Sequence, residues 1–188
     1  ELITASASHG VTSLDPETGK VNWELPGIFP ERCVGSPAVA GGVIVASCGV
    51  GGRGVLTVAV RPGSRDAKPS VAWRLEPPVP YVPTPIAQGD LVFLWGDQGT
   101  VACHRAPTGE RVWQEKVGAN FFGSPVLAAG RLYCISMKGE VFVLAAADKF
   151  HLLAKNPLGE MSYATPAIAG GRLFLRTHAH LIAVGGRR

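Results

Sequence analysis

The chain has 188 residues, 46% of them hydrophobic, with a formal net charge of +4. That is enough chain to bury a core as one domain. No apolar run reaches the ~18 residues of a membrane span. The basic residues are scattered apart from the terminal Arg187-Arg188 pair, whereas nucleic-acid proteins gather theirs on one face, so neither a spanning helix nor a nucleic-acid partner is expected.

In chain order, residues 1–5 read as a strand. Gly10-Val11-Thr12-Ser13-Leu14 alternates as a second, and Lys20-Val21-Asn22-Trp23-Glu24-Leu25 as a third. Between the last two, Asp15-Pro16-Glu17-Thr18-Gly19 is turn chemistry. Pro presets φ, Gly supplies φ > 0, and short polar side chains bond their own backbone. The result is a β-hairpin carrying a Trp. The same phrase returns as Arg105-Ala106-Pro107-Thr108-Gly109-Glu110-Arg111-Val112-Trp113, with Thr, Gly and Trp at the same offsets. Matches of that length mark an internal repeat.

A second phrase sets the period. Gly35-Ser36-Pro37-Ala38, Pro83-Thr84-Pro85-Ile86, Gly123-Ser124-Pro125-Val126 and Ala164-Thr165-Pro166-Ala167 are one pattern, spaced by 48, 40 and 41 residues. The longest interval contains extra turn residues at 61–70. A period of about 40 fits four-stranded propeller blades. Within each unit, strand A follows the Ser/Thr-Pro. Strand B is apolar, at 43–46, 91–95, 132–136 and 173–176. Strand C lies at 55–60, 100–104, 141–144 and 181–184. Strand D carries Trp23, Trp73 or Trp113, and in the fourth unit Leu152-Leu153-Ala154 replaces the Trp. No window shows a helical period, and Gly and Pro punctuate the chain every few residues. Even strand spacing with a repeated aromatic predicts an all-β propeller. The expected blades are 1–28 (partial), 34–77, 82–118, 122–159 and 163–188 (partial).

The pattern Asp-x-x-Thr-Gly-x-x-x-Trp at Asp15 to Trp23 resembles the tryptophan-docking repeat of the PQQ-type (pyrroloquinoline-quinone-like) β-propellers. That family includes quinoprotein alcohol dehydrogenases, the propeller lipoprotein of the bacterial outer-membrane barrel-assembly machinery, and PQQ-binding-like repeat proteins. The resemblance implies that Trp23, Trp73 and Trp113 dock between blades, with Thr18-Gly19 and Thr108-Gly109 as their turns. About four and a half blades are counted, and closed rings of such blades run up to about 8. The expectation is therefore a part of a larger ring whose true N-terminus supplies the missing last D strand.

Other motifs read structurally. Cys33, Cys48, Cys103 and Cys134 form no Cys-x-x-Cys and are expected to be free thiols, mostly buried. His178-Ala179-His180 has the spacing that places two rings on one strand face, but no third ligand lies nearby in sequence. Gly49-Val50-Gly51-Gly52-Arg53-Gly54 precedes a strand rather than a helix, so it is a flexible turn and not a phosphate loop. No nucleophile elbow or zinc-protease motif occurs. No catalytic, cofactor-binding or metal residue is assigned.

The candidate binding residues lie in the loops joining strand D of one blade to strand A of the next: Arg32, Tyr81, Asn120, Phe121 and Tyr163. These loops gather at one end of the channel, and binding residues favour loops on a rigid scaffold. The alternative is that the aromatics plug the channel or pack under a neighbouring blade. The expected function is a non-catalytic binding scaffold, its partner a protein or the remaining blades of the ring. Family resemblance implies a periplasmic or other extracytoplasmic address. The alternative is part of a catalytic quinoprotein dehydrogenase propeller, which needs PQQ, calcium and adjacent cysteines. A third possibility is an accessory domain tethered to another module.

Overall fold

In the computed structural model, residues 1–64 and 66–185 are described. The chain folds into consecutive antiparallel meanders with no helix among these residues. The first sheet has three strands, β1 (Leu2–Ser6), β2 (Gly10–Leu14) and β3 (Val21–Leu25). The second holds β4 (Ala38–Ala40), β5 (Val43–Val50), β6 (Arg53–Arg61) and β7 (Ser70–Leu75). The third holds β8 (Ile86–Gln88), β9 (Leu91–Trp95), β10 (Thr100–Arg105) and β11 (Arg111–Lys116). The fourth holds β12 (Val126–Ala128), β13 (Arg131–Ile135), β14 (Glu140–Ala145) and β15 (Leu152–Pro157). The fifth has β16 (Ala167–Ala169), β17 (Arg172–Arg176) and β18 (Leu181–Val184). The terminal Arg187-Arg188 pair and Arg65 in the long turn lie outside the described residues.

Each sheet is two-sided, and so its core lies between sheets rather than within one. Middle strands β5, β9, β10, β13 and β14 are apolar on both faces because a neighbouring blade covers each face. Val11, Ile44, Cys48, Val58 and Val60 pack together between the first and second sheets. Val43, Val45, Ala59, Val92 and Leu94 do so between the second and third. Phe93, Trp95, Phe121, Leu132 and Phe142 fill the gap between the third and fourth. A smaller cluster of Ile135, Val141, Val143 and Leu175 joins the fourth and fifth.

The turn 49–54 is tighter than the flexible loop expected from its glycines. Strands β5 and β6 extend into it, so that Val50 pairs with Arg53. Gly51 and Gly52, at φ +61° and +75°, make the two-residue connection. Positive φ at both central residues matches the right-handed twist of the flanking strands.

The indoles lock adjacent blades, and each does so against the turn of the next blade rather than its own hairpin, where the sequence placed it. Trp73 donates its Nε1–H to the Ala106 carbonyl at 2.7 Å. Its ring lies against Gly109, where an added Cβ would stand 2.8 Å from Cγ and Cδ2. Trp113 likewise donates to the Ala147 carbonyl at 3.0 Å and meets Phe150 edge-on at 5.4 Å. Trp23 faces Gly63 in the long turn of the second blade, and its Nε1 has no acceptor among the described residues. The second blade has no Thr-Gly in its turn at 61–70, and that difference bears on Trp23, not Trp73. Among the described residues, its chain neighbours aside, none has an atom within 4 Å of a Cβ built on Gly19.

The two Thr-Gly turns are built differently. The Asp15 carboxylate accepts from the N–H groups of Glu17 and Thr18 at 2.8 and 2.9 Å, which hold it below its usual carboxylate range. Arg105 cannot do this: its backbone carbonyl accepts from Thr108 N–H at 3.3 Å, besides the Gly109 N–H at 2.8 Å whose counterpart, Gly19 N–H to the Asp15 carbonyl at 2.9 Å, both turns share. His104 completes the second turn: its Nδ1 lies 2.9 Å from the Gly109 carbonyl. Burial lowers its pKa, so the neutral ring donates Nδ1–H to that carbonyl.

A further inter-blade device was not expected from the sequence. The N–H of Ser36 donates to Thr84 Oγ1 at 3.1 Å, that of Thr84 to Ser124 Oγ at 3.0 Å, and that of Ser124 to Thr165 Oγ1 at 2.9 Å. The Ser/Thr of the repeated Ser/Thr-Pro phrase therefore links each blade entrance to the next. The following Pro has no N–H to offer, so the hydroxyl-bearing residue is the donor available at that corner.

Candidate functional site

The loops entering successive blades share one end of the molecule with the B–C turns, and the two sets hold each other. Asp97, in the turn between β9 and β10, accepts from the N–H groups of Tyr81 and Val82 at 2.7 and 3.1 Å. Its carbonyl accepts from Phe121 N–H at 2.8 Å. One residue thus fixes the loops on both sides of the third blade. Burial pushes the Asp97 carboxyl above its usual range, and the two N–H groups pull it part of the way back. The pattern continues around the arc: Met137 N–H donates to the Asn120 carbonyl, and His178 N–H to the Met161 carbonyl, at 2.8 and 2.9 Å. Backbone held this way presents its side chains from a rigid frame.

The five candidate residues separate into two groups. Arg32, Asn120 and Tyr163 are exposed. Tyr81 and Phe121 are not surface residues, being 3% and 1% exposed. For these two the packing alternative holds. Phe121 inserts between Trp95 and Phe142, with ring centroids 5.3 Å from each in edge-to-face geometry. A single loop residue thereby becomes the centre of the largest inter-blade cluster. Tyr81 is covered by Arg32, whose guanidinium lies 5.5 Å from the ring centroid and whose Nε–H donates to the Tyr81 hydroxyl. Tyr81 anchors Arg32, and only Arg32 faces outward.

The exposed apolar surface of this end comes from their neighbours. Phe122, Met161 and Tyr163 are 50%, 52% and 50% exposed. Phe122 meets Tyr163 edge-on at 5.8 Å. In the pair Phe121-Phe122 the first ring turns inward and the second outward, because successive residues of extended backbone point to opposite sides. That alternation is a signal present in the sequence, but its phase is set by the isolated bridge between Phe121 and Ser136.

A cleft of about 740 Å³ opens between the second and third blades at the same end, with Arg53, Glu76, Pro77, Asp97 and Lys116 in its lining. It carries charges of both signs on a largely apolar floor. Of the His178/His180 pair, His178 lines a small pocket and His180 does not. His180 pairs instead with Glu160, Nδ1 to Oε1 at 2.5 Å. Glu160 also accepts from Thr177 Oγ1 at 2.6 Å and Ala179 N–H at 3.1 Å, and so it acts as a brace for that turn. Sequence distance concealed this carboxylate, which lies 20 positions before His180.

All four cysteines are free: Cys48, Cys103 and Cys134 are buried, and Cys33 is partly so. Burial pushes the Cys33 and Cys103 thiols up to about 12, which removes thiolate reactivity at neutral pH. Among the described residues no group of three or more His, Cys, Asp or Glu side chains could hold a metal ion.

A family model described as outer membrane protein assembly factor BamB matches residues 97–186. The outer membrane protein assembly factor BamB of Burkholderia pseudomallei is 34% identical over 98 residues, covering 52% of this chain and 25% of that protein. The crystal structure of BamB from Moraxella catarrhalis superposes with a TM-score of 0.75 at 18% identity, covering 97% of this chain and 54% of that one. A europium-containing methanol dehydrogenase gives a TM-score of 0.47 at 12% identity, covering 65% of this chain and 25% of that one. The chain therefore spans a quarter of the length of the curated relative and about half that of the BamB structure.

Proposed function

We propose, starting from a chain built of PQQ-like propeller repeats that resemble those of the barrel-assembly factor, that this protein is a non-catalytic scaffold holding a protein partner on its loop face. The observation that carries the reading is the exposed cluster of Phe122, Met161 and Tyr163 on backbone clamped by the neighbouring turns. Scattered exposed apolar residues are ordinary, whereas a contiguous group on a rigid rim marks an interaction surface. Aromatic and Met side chains are enriched at such surfaces. The matched relative is by name an outer membrane protein assembly factor. The proposal gives this chain a comparable extracytoplasmic setting and a polypeptide rather than a small molecule as its partner.

Site-specific photocrosslinking in the native host tests this. A benzophenone amino acid at position 163 should capture one discrete protein. The same group at position 152, on the outer strand β15, should not. Adducts at 152 and none at 163 would move the interaction to the outer edge and overturn the proposal.

A further inference from the structure

The geometry points to a more particular occupant: we infer that the pocket beside Tyr163 takes an extended acidic segment of a protein partner, reading a carboxylate and an adjacent apolar side chain. This rests on the loop-face reading and specifies the partner's chemistry. The pocket measures about 210 Å³, and its lining includes Met161, Ser162, Tyr163, Arg176, Thr177 and His178. It has an apolar side in Met161 and Tyr163, extended outward by Phe122. It has a cationic side in Arg176, beside the ring of His178.

The charge balance around it favours an anion. No carboxylate lines the pocket. Glu160 is near in sequence but is committed to Thr177, Ala179 and His180. Glu140, on the adjacent blade, is held by Lys155 at 2.8 Å. Exposed Lys138 follows Met137, whose carbonyl accepts from the N–H of Ser162, a lining residue, at 3.3 Å. Among the described residues neither Arg176 nor Lys138 forms a salt bridge. An Arg fork matches a carboxylate with paired N–H donors, and Arg with aromatic neighbours is the composition of interface hot spots. A membrane surface is the weaker match, because binding anionic lipid takes a cluster of about 4–8 basic residues, and this patch offers Arg176 and Lys138.

The test uses the whole chain and blocked synthetic peptides of alternating Glu and Phe, with Gln/Phe and Lys/Phe counterparts. Binding is followed by NMR at the Met161 methyl and the Phe122 and Tyr163 rings, and in parallel with phosphatidylglycerol vesicles. The Glu/Phe peptide should shift those resonances, bind more weakly as salt rises, and lose about tenfold in affinity or more in Arg176→Glu. Arg176→Gln gives a second variant with the same expected direction should the charge reversal disturb folding, and the thermal midpoint checks both. Equal binding of the Gln/Phe peptide at the same resonances would overturn the acidic reading and leave the loop face standing. Shifts confined to other residues, or none with any peptide, would overturn both. Vesicle binding without peptide binding would overturn the inference in favour of a membrane.

Discussion

A pair of glycine substitutions isolates what indole docking contributes. Gly19 and Gly109 occupy the same place in the two Thr-Gly turns. Their φ angles are +70° and +76°, and their N–H groups donate to the carbonyls of Asp15 and Arg105 at 2.9 and 2.8 Å. Alanine at either position must adopt the left-handed region, costing about 1–2 kcal/mol. At Gly19 that is the whole effect, since among the described residues nothing beyond its chain neighbours lies within 4 Å of the new Cβ. At Gly109 the methyl would stand 2.8 Å from two ring atoms of Trp73. The indole cannot slide freely, because its Nε1–H is tied to the Ala106 carbonyl at 2.7 Å. Overpacking of this kind adds about 1–3 kcal/mol. Gly19→Ala should therefore cost about 1–2 kcal/mol and Gly109→Ala about 2–5 kcal/mol. For a chain of this size each kcal/mol lowers the midpoint by roughly 2–4 °C. Urea denaturation followed by Trp fluorescence measures both variants. In a Trp73→Ala background the extra loss at Gly109 should vanish, as coupling between contacting residues requires. Equal losses for the two glycines in the wild-type background would refute the docking argument.

Two further outcomes follow from the loop face and its brace. Phe121→Ala should cost about 3–5 kcal/mol as a buried aromatic, while Phe122→Ala should stay within about 0.5–1 kcal/mol in denaturant melts; similar losses would mean that the two rings share one environment. Acid should loosen the turn at 177–180. The Thr177 hydroxyl above all, then the Ala179 N–H and His180, hold the Glu160 carboxylate below its ordinary value of 4.5. A lowered folded pKa gives stabilisation that is complete above the ordinary value and lost as pH falls through the folded one. Amide exchange at Ala179 should accelerate through that acid window in the wild type, and in Glu160→Gln it should lack the step.

The periodic phrases made the strand order readable. Ser/Thr-Pro at 36, 84, 124 and 165 and the apolar B and C strands mark strands of the second to fifth sheets, because blade pairing is between sequence neighbours and needs no long-range information. The direction of docking was not readable. A Trp and its Thr-Gly turn are close in sequence, yet Trp73 reaches across to Gly109 because the sheets stack face to face, so an indole's partner is the next repeat. The loop residues divided for the same reason. Phe121 and Phe122 have the same side chain and adjacent positions, and only the bridge from Phe121 to Ser136 decides which ring enters the core.

The sequence by itself determined the repeat and the all-β class, since these follow from local turn chemistry and two-residue alternation, while the inter-blade place of the tryptophans was what the family resemblance implied. Tertiary structure alone decided which aromatics face outward, and that Glu160 braces His180 instead of lining the pocket. It also showed that the hydroxyls of Thr84, Ser124 and Thr165 link one blade to the next. Those outcomes depend on distances between residues about 15–50 positions apart, and chain periodicity carries no information on such distances until the sheets are packed.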